Sequence, residues 1–426
     1  MGTQKGRGRR VLAAAVVAAG IVTAVGASTG AGAETSGSQR PPAVERCRSG
    51  QLPDGYADQL DPAREVPPAT EPDAERLNLD AARQFGCRFA GVWWDGDGDA
   101  ARFVIGVVAP TAADQAWLAA ADASGEARLE ARRVSLVALQ HHSERASDVL
   151  ARRGLTVMVG ADQQAGVVTV RARDLPEQAE AALRAEVPAE VLAVRRDPTF
   201  STSLAHSNRD TWNSLLVHAE GGLRIFTEGS CTTGFYVANG FGPFISTAGH
   251  CGRVGAAAWA PDNSWQDSIR SNTWYAVGQD QRIDTDAAIA STAAITNYAR
   301  VMRADGHPSV RSRWSAPNPA IGSTIPIWRT GAQSNNDRSG VVRSDDDFVT
   351  FTNARDNTRR LVRVWCISTG TVGGDSGGPV YSFRSDGALH AAGTIVGFQT
   401  VNGETRTCFS HVYYTIIRLN VTLQTS

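Results

Sequence analysis

Ser376 stands in the run Gly374-Asp375-Ser376-Gly377-Gly378-Pro379, a turn too rich in glycine to be ordinary core. A serine hydroxyl is a weak nucleophile until a base takes its proton and an acid orients that base. Both residue types lie upstream. His250 stands in Ser246-Thr247-Ala248-Gly249-His250-Cys251, and Asp286 opens Asp286-Ala287-Ala288-Ile289-Ala290. Acyl transfer needs a nucleophile, a neutral imidazole, a buried carboxylate that holds the imidazole tautomer, and hydrogen-bond donors for the oxyanion. Ser376, His250 and Asp286 fill the first three roles, and the backbone N–H groups of Gly374 and Ser376 are the expected oxyanion hole. Glycine before Asp375 permits the backbone geometry, while Gly377 and Gly378 are expected to let substrate approach closely. Asp284, two residues before Asp286 on the same face of a strand, is an alternative acid. The apolar run directly after Asp286 would bury it, which favours Asp286. A tight turn would explain the serine motif alone and a satisfied core histidine the histidine motif alone; their joint occurrence in the order His, Asp, Ser favours the chemistry.

These residues need a scaffold, and from about residue 220 the chain reads as all-β. Short apolar runs recur from Leu223–Phe226 through Trp274–Val277, Ala287–Ala290, Leu361–Trp365 and Ala391–Phe398 to Val412–Ile417, with Gly, Asn and Asp between them. Many short strands with frequent turn signals predict a sandwich or barrels. The first half has another texture. Phe103–Val108 reads as a strand and Ala112–Ala121 as a helix. Then follow Val134–Leu139 (strand), Ser143–Arg153 (helix), Leu155–Val159 and Val167–Arg171 (a strand pair), Leu175–Ala185 (helix) and Val191–Val194 (strand). Over about 130–197 this order is that of a split βαβ, ferredoxin-like unit. The boundary is expected between about Arg196 and Gly222.

The 426 residues exceed one average domain, and 42% hydrophobic content is enough for a sizeable core. A formal net charge of −1 argues against a nucleic-acid binder. Residues 1–33 read as a secretory signal: Lys5, Arg7, Arg9 and Arg10 precede a short apolar run, Val11–Val25, and Ala31-Gly32-Ala33 offers a cleavage site. No later run is apolar enough to span a bilayer, so an exported product with no membrane attachment is expected. Residues 34–75, rich in Pro, Gly, Ser, Asp and Glu, read as a loosely ordered arm. Six cysteines in an exported chain suggest disulfides. Sequence does not choose the connectivity, but the grouping leads us to expect three local pairs, Cys47 with Cys87, Cys231 with Cys251 and Cys366 with Cys408.

STAGHC, DAAIA and GDSGGP in this order resemble the chymotrypsin-like serine proteases, specifically the secreted bacterial branch that includes streptogrisins and α-lytic protease. The resemblance covers roughly residues 220–426. It implies an all-β catalytic domain over 201–426, built as two perpendicular six-stranded antiparallel β-barrels, with His250 and Asp286 on the first and Ser376 on the second. It also implies that 34–200 is a pro-region acting as intramolecular chaperone and inhibitor, removed by cleavage between about Asp197 and Gly222. The implied activity is that of a monomeric serine endopeptidase acting on proteins or peptides, with no metal or cofactor. In this branch the acid of GDSGGP pairs with an internal arginine, which assigns Arg329, in Trp328-Arg329-Thr330-Gly331, to Asp375. The chain departs from the pattern just before Ser376, where Thr371-Val372-Gly373 occupies a stretch that carries a cysteine in relatives. The Cys366–Cys408 bridge is accordingly an extrapolation. The resemblance draws the specificity pocket from that stretch, from Val396, Gly397 and Phe398, and from the segment after Cys408, with His411 on its wall, either reading an acidic side chain or narrowing the pocket. A catalytically silent binding module on the same fold is the competing class.

Overall fold

The computed structural model describes residues 73–426 apart from 97–101, 123–124, 126, 205–217, 261–265, 294, 304–305, 314–325, 335 and 384–385. The expected signal at 1–33, nearly all of the 34–75 arm, and Cys47 with its proposed bond to Cys87 lie outside the described residues.

Helix Asp73–Phe85 buries Leu77, Ala81, Ala82 and Phe85, a three- and four-residue spacing that makes one apolar stripe. The stripe belongs to a core shared with Phe89, Val92, Phe103, Ile105 and Val107 from strands Phe89–Asp95 and Arg102–Val108. Those strands pair antiparallel, and Arg102–Val108 pairs parallel with Ala127–Arg132 to complete a three-stranded sheet.

Val134–Leu139, expected as a strand, instead opens the helix Leu136–Ala151. The Ser135 side chain accepts the N–H of Ala138 at 3.3 Å, and Leu136, Leu139, Ala146, Val149 and Leu150 are buried at helical spacing. A short continuous apolar run fits either period, and the serine cap decides. The strand before this helix is Ala127–Arg132, which belongs to the three-stranded sheet. Val157–Asp162 pairs antiparallel with Val167–Ala172, which pairs parallel with Leu192–Arg196.

The outer edge of Val157–Asp162 is taken by the C-terminal part of the chain. It pairs antiparallel with Val342–Thr352, placing Phe348 opposite Val159 and Val349 opposite Met158. Thr350 locks the join: its hydroxyl accepts the N–H of Val157 at 3.1 Å and donates to the carbonyl of Leu155 at 3.0 Å. One sheet therefore runs from the N-terminal strands through Val342–Thr352, Arg359–Ile367, Glu404–His411, Leu389–Val401 and Pro379–Phe383 to Ile327–Gly331. A second, antiparallel sheet of 8 strands carries Gly242–Thr247 and Ala288–Ser291 side by side.

Two further strand expectations are corrected. Val412–Ile417 is the start of helix Val412–Leu419, which buries Val412, Thr415 and Leu419 on one face and ends at Asn420 with φ +49°. Its β-branched and aromatic composition imitates a strand, but burial follows the helical period. Trp274–Val277 is a turn, in which Asn272 Oδ1 accepts the N–H of Tyr275 at 3.1 Å while the Trp274 side chain is buried.

Where the two parts meet, Asp347 faces Gly160 so closely that a Cβ on the glycine would fall 1.5 Å from Asp347 Oδ1. Burial pushes the Asp347 carboxyl up to about 7; Asp346 and Asp162 add to this and Arg406 opposes it. The packed state thus favours the neutral acid. Its contribution to stability is complete below the ordinary carboxylate range and is lost as pH rises through about 7. The unfolding free energy of the intact chain is expected to fall by up to about 1.4 kcal/mol per pH unit across that window from this one group. Denaturant titrations of parent and Asp347→Asn chains across the window check this, and an unchanged slope in the variant would contradict it.

Candidate active site

The strand pair Gly242–Thr247 and Ala288–Ser291, with Thr247 opposite Ala288, brings the segments that carry His250 and Asp286 together. A single 3₁₀ turn, Gly249–Cys251, follows the first strand and turns the His250 ring toward the acid. Gly249 must be glycine, since a Cβ there would lie 2.7 Å from Asp286 Oδ1. The Asp286 carboxylate meets His250 twice, accepting its backbone N–H at Oδ1 over 2.9 Å and facing Nδ1 with Oδ2 at 2.5 Å. The backbone N–H of Asp286 donates to Ser410 Oγ at 2.8 Å. The edge of Trp274 closes one side of the imidazole, with centroids 5.7 Å apart. Asp284 points elsewhere and pairs with Arg418, because strand Gln281–Ile283 ends before it and the two aspartates share no strand face.

Ser376 Oγ lies 2.8 Å from His250 Nε2 and 3.2 Å from the Val396 carbonyl. Ser376 and Asp286 have no exposed surface and His250 has 1%. Gly374, at φ +98°, and Gly377, at φ +86°, hold backbone conformations that favour glycine. Gly377 and Gly378 are closely packed by the protein itself. A Cβ at Gly377 would fall 2.2 Å from Thr247 Oγ1, and one at Gly378 would fall 2.2 Å from the Thr330 carbonyl. These glycines let the protein's own strands reach the serine turn.

Asp375 is fully buried and well supplied with partners. Arg329 Nη1 donates to Oδ2 at 3.2 Å, as do the Thr371 hydroxyl at 2.9 Å and the Val372 N–H at 3.2 Å. The N–H groups of Gln333 and Ser334 donate to Oδ1 at 3.1 and 2.8 Å. Arg329 also donates to Ser334 Oγ at 2.9 Å and to the Gly370 carbonyl. Burial holds the guanidinium below its ordinary range, an effect the Asp375 charge opposes. Sequence reading paired Arg329 with Asp375 but missed Thr371 and Ser410. Thr371 fills the stretch where relatives carry a cysteine, a visible departure without a visible role; nothing local marks Ser410.

Cys231 and Cys251 form a disulfide, as do Cys366 and Cys408, which sit directly opposite each other on strands Arg359–Ile367 and Glu404–His411. Cys231, His250 and Cys251 offer ligand atoms within 4.8 Å of one another, but both sulfurs are committed to the disulfide.

On the proposed pocket side, Val396 is buried and supplies the carbonyl beside Ser376, and half-buried Phe398 follows Gly397 on the same strand. The edge here is occupied. Strand Ser201–Leu204 runs antiparallel to it, with Leu204 opposite Gly397 and Ser203 opposite Phe398. His411 is buried. Its ring packs on Trp365 at 4.9 Å, and its Nδ1 accepts the N–H of Tyr413 to cap the last helix. The large buried Trp365 draws it into the core.

A hydroxyl, an imidazole and a carboxylate in series form an arrangement suited to nucleophilic acyl transfer. No protein-family model and no curated protein matches this chain. Solved structures similar to it include a Nocardiopsis protease, 24% identical over 49% of this chain and 100% of that one, TM-score 0.39. Protease A of Thermobifida fusca is 25% identical over 49% of this chain and 100% of that one, TM-score 0.39. Cellulomonas bogoriensis chymotrypsin is 22% identical over 49% and 100%, TM-score 0.38. In structure, this mostly-β chain is thus similar over about half its length to bacterial chymotrypsin-like serine proteases. No helix among the described residues is long and apolar enough to cross a membrane.

Proposed function

We propose that this chain is a secreted serine endopeptidase, made as a zymogen, that hydrolyses peptide bonds through an acyl-enzyme on Ser376. One observation carries the reading: Ser376 Oγ, His250 Nε2, His250 Nδ1 and Asp286 Oδ2 lie in one buried hydrogen-bonded series, with steps of 2.8 and 2.5 Å. His250 takes the proton of Ser376 as Oγ attacks the substrate carbonyl, and Asp286 stabilises the imidazolium. The N–H groups of Gly374 and Ser376 receive the oxyanion. His250 then returns the proton to the leaving amine, and water repeats the sequence to release the acid.

In this reading residues 201–426 form the catalytic domain, with the two strand sets as its barrels, and residues 34–200 are the pro-region. Two contacts support the zymogen reading. The Val157–Asp162 edge of the pro-region extends the catalytic sheet, as a folding template would. Strand Ser201–Leu204, within the stretch where cleavage is expected, pairs with Gly397–Thr400, an edge on which an extended substrate would pair. The leader at 1–33 supports export.

The test is to collect the secreted protein, react it with a phosphonofluoridate, and sequence its N-terminus. Labelling at Ser376 of an active species that begins between about Asp197 and Gly222 is the expected result. An active species still carrying residues 34–190 would overturn the zymogen assignment. An unlabelled protein that cleaves no peptide would be a binding module instead.

A further inference from the structure

We propose that Thr232 is a positioning residue for the oxyanion turn, clamping the carbonyls of both residues whose N–H groups receive the oxyanion. The inference rests on the peptidase reading above.

Thr232 ends the short strand Ser230–Thr232 on the histidine side of the site and is fully buried. Its backbone N–H donates to the Ser376 carbonyl at 2.7 Å. Its hydroxyl donates to the Gly374 carbonyl at 2.8 Å and accepts the N–H of Ala332 at 3.1 Å. Its own carbonyl accepts from the Thr247 hydroxyl at 2.9 Å. Every polar group of this residue is therefore committed, and two of the bonds go to the serine turn.

The geometry matters because Gly374, at φ +98°, has no side chain to hold its peptide planes. The two clamped carbonyls bracket the Asp375–Ser376 peptide, whose N–H is one oxyanion donor. If the Gly374 carbonyl lost its partner, the glycine could rotate and carry both donors off their aim. Donors of this kind accelerate reaction only when their direction is preset. Thr232 also follows Cys231, whose disulfide partner Cys251 follows His250. One stretch of chain thus ties the base to the turn that carries the nucleophile.

A threonine that merely fills space would make a different prediction from one that aims the turn. Thr232→Val keeps the shape but leaves the Gly374 carbonyl and the Ala332 N–H without their partner; Thr232→Ser keeps the hydroxyl. Steady-state kinetics on a peptide substrate, with inhibition by a peptide aldehyde that forms a tetrahedral adduct, separate the two. We expect Thr232→Val to lower kcat by roughly 10- to 100-fold with KM within about three-fold, and to weaken the aldehyde by a factor close to the loss in kcat. Thr232→Ser should stay within about three-fold of the parent on every readout. If Thr232→Val fails to accumulate, Thr232→Ala, which leaves room for a water, should show the same split. A hydroxyl-free variant with near-parent kcat, a loss confined to KM, or equal losses in the valine and serine variants would overturn the proposal. A parent chain without peptide hydrolysis sensitive to Ser376→Ala would instead overturn the peptidase reading, and this inference with it.

Discussion

Ser376→Ala is expected to lower kcat on a peptide substrate by about 10⁴- to 10⁶-fold while leaving KM within about two-fold. The substitution removes one atom, Oγ, which lies 2.8 Å from His250 Nε2 and 3.2 Å from the Val396 carbonyl. The surrounding turn should persist, because it is held by backbone bonds that alanine keeps: Gly377 N–H to the Ile395 carbonyl at 2.7 Å, and Thr232 N–H to the Ser376 carbonyl at 2.7 Å. Binding should therefore be spared and the covalent route lost. What rate remains would come from the oxyanion donors and from water attacking directly. Adding His250→Ala should cost little more, since the two groups act as one unit. A second readout comes without a substrate: if the chain matures itself, the alanine variant should accumulate with its N-terminal part attached. Retention of more than about a hundredth of parental kcat would remove Ser376 from the role of nucleophile.

Arg329→Ala is expected to destabilise the chain by about 3–5 kcal/mol and to depress kcat. That is a large fraction of the roughly 5–15 kcal/mol that holds a typical domain together. The variant leaves Asp375 fully buried with its hydroxyl and N–H donors but without the cation that faces it at 3.2 Å. Asp375 lies between the two residues assigned as oxyanion donors, so its relaxation should reach them. Lysine should rescue poorly, because the guanidinium serves Asp375, Ser334 and the Gly370 carbonyl at once. Combining Arg329→Ala with Asp375→Asn should recover part of the stability by removing the unpaired charge. Denaturant midpoints and kcat for the single and double variants form a cycle that measures the coupling. Near-parent values for Arg329→Ala on both readouts would dismiss the pair as incidental.

Much of the site was legible because its chemistry is local. A nucleophile turn needs glycines beside the serine, so Gly374, Ser376, Gly377 and Gly378 announce themselves in six residues. The choice of Asp286 over Asp284 followed from the apolar run after it, and the structure aims Asp286 at His250 while Asp284 meets Arg418. Other readings failed where local pattern is ambiguous. Val134–Leu139 carries apolar spacing that suits either period, and Val412–Ile417 has strand-like composition with helical burial. The packing of His411 is hidden for a different reason: its neighbour is Trp365, 46 residues away in sequence, and no local pattern records that contact.

The sequence by itself marked the candidate nucleophile, base and acid and their order, each by a short motif, and the family resemblance supplied the pairing of Arg329 with Asp375. Tertiary structure alone decided how those groups are held. It showed that Gly377 and Gly378 make room for Thr247 and Thr330. It joined the N-terminal strands to Val342–Thr352 and paired Ser201–Leu204 with Gly397–Thr400. It assigned Thr232, Thr371 and Ser410 their partners. The physical reason is range. A motif records what neighbouring residues need from one another, whereas clamps and sheet joins are made by hydroxyls and strand edges whose partners are chosen only when distant segments pack.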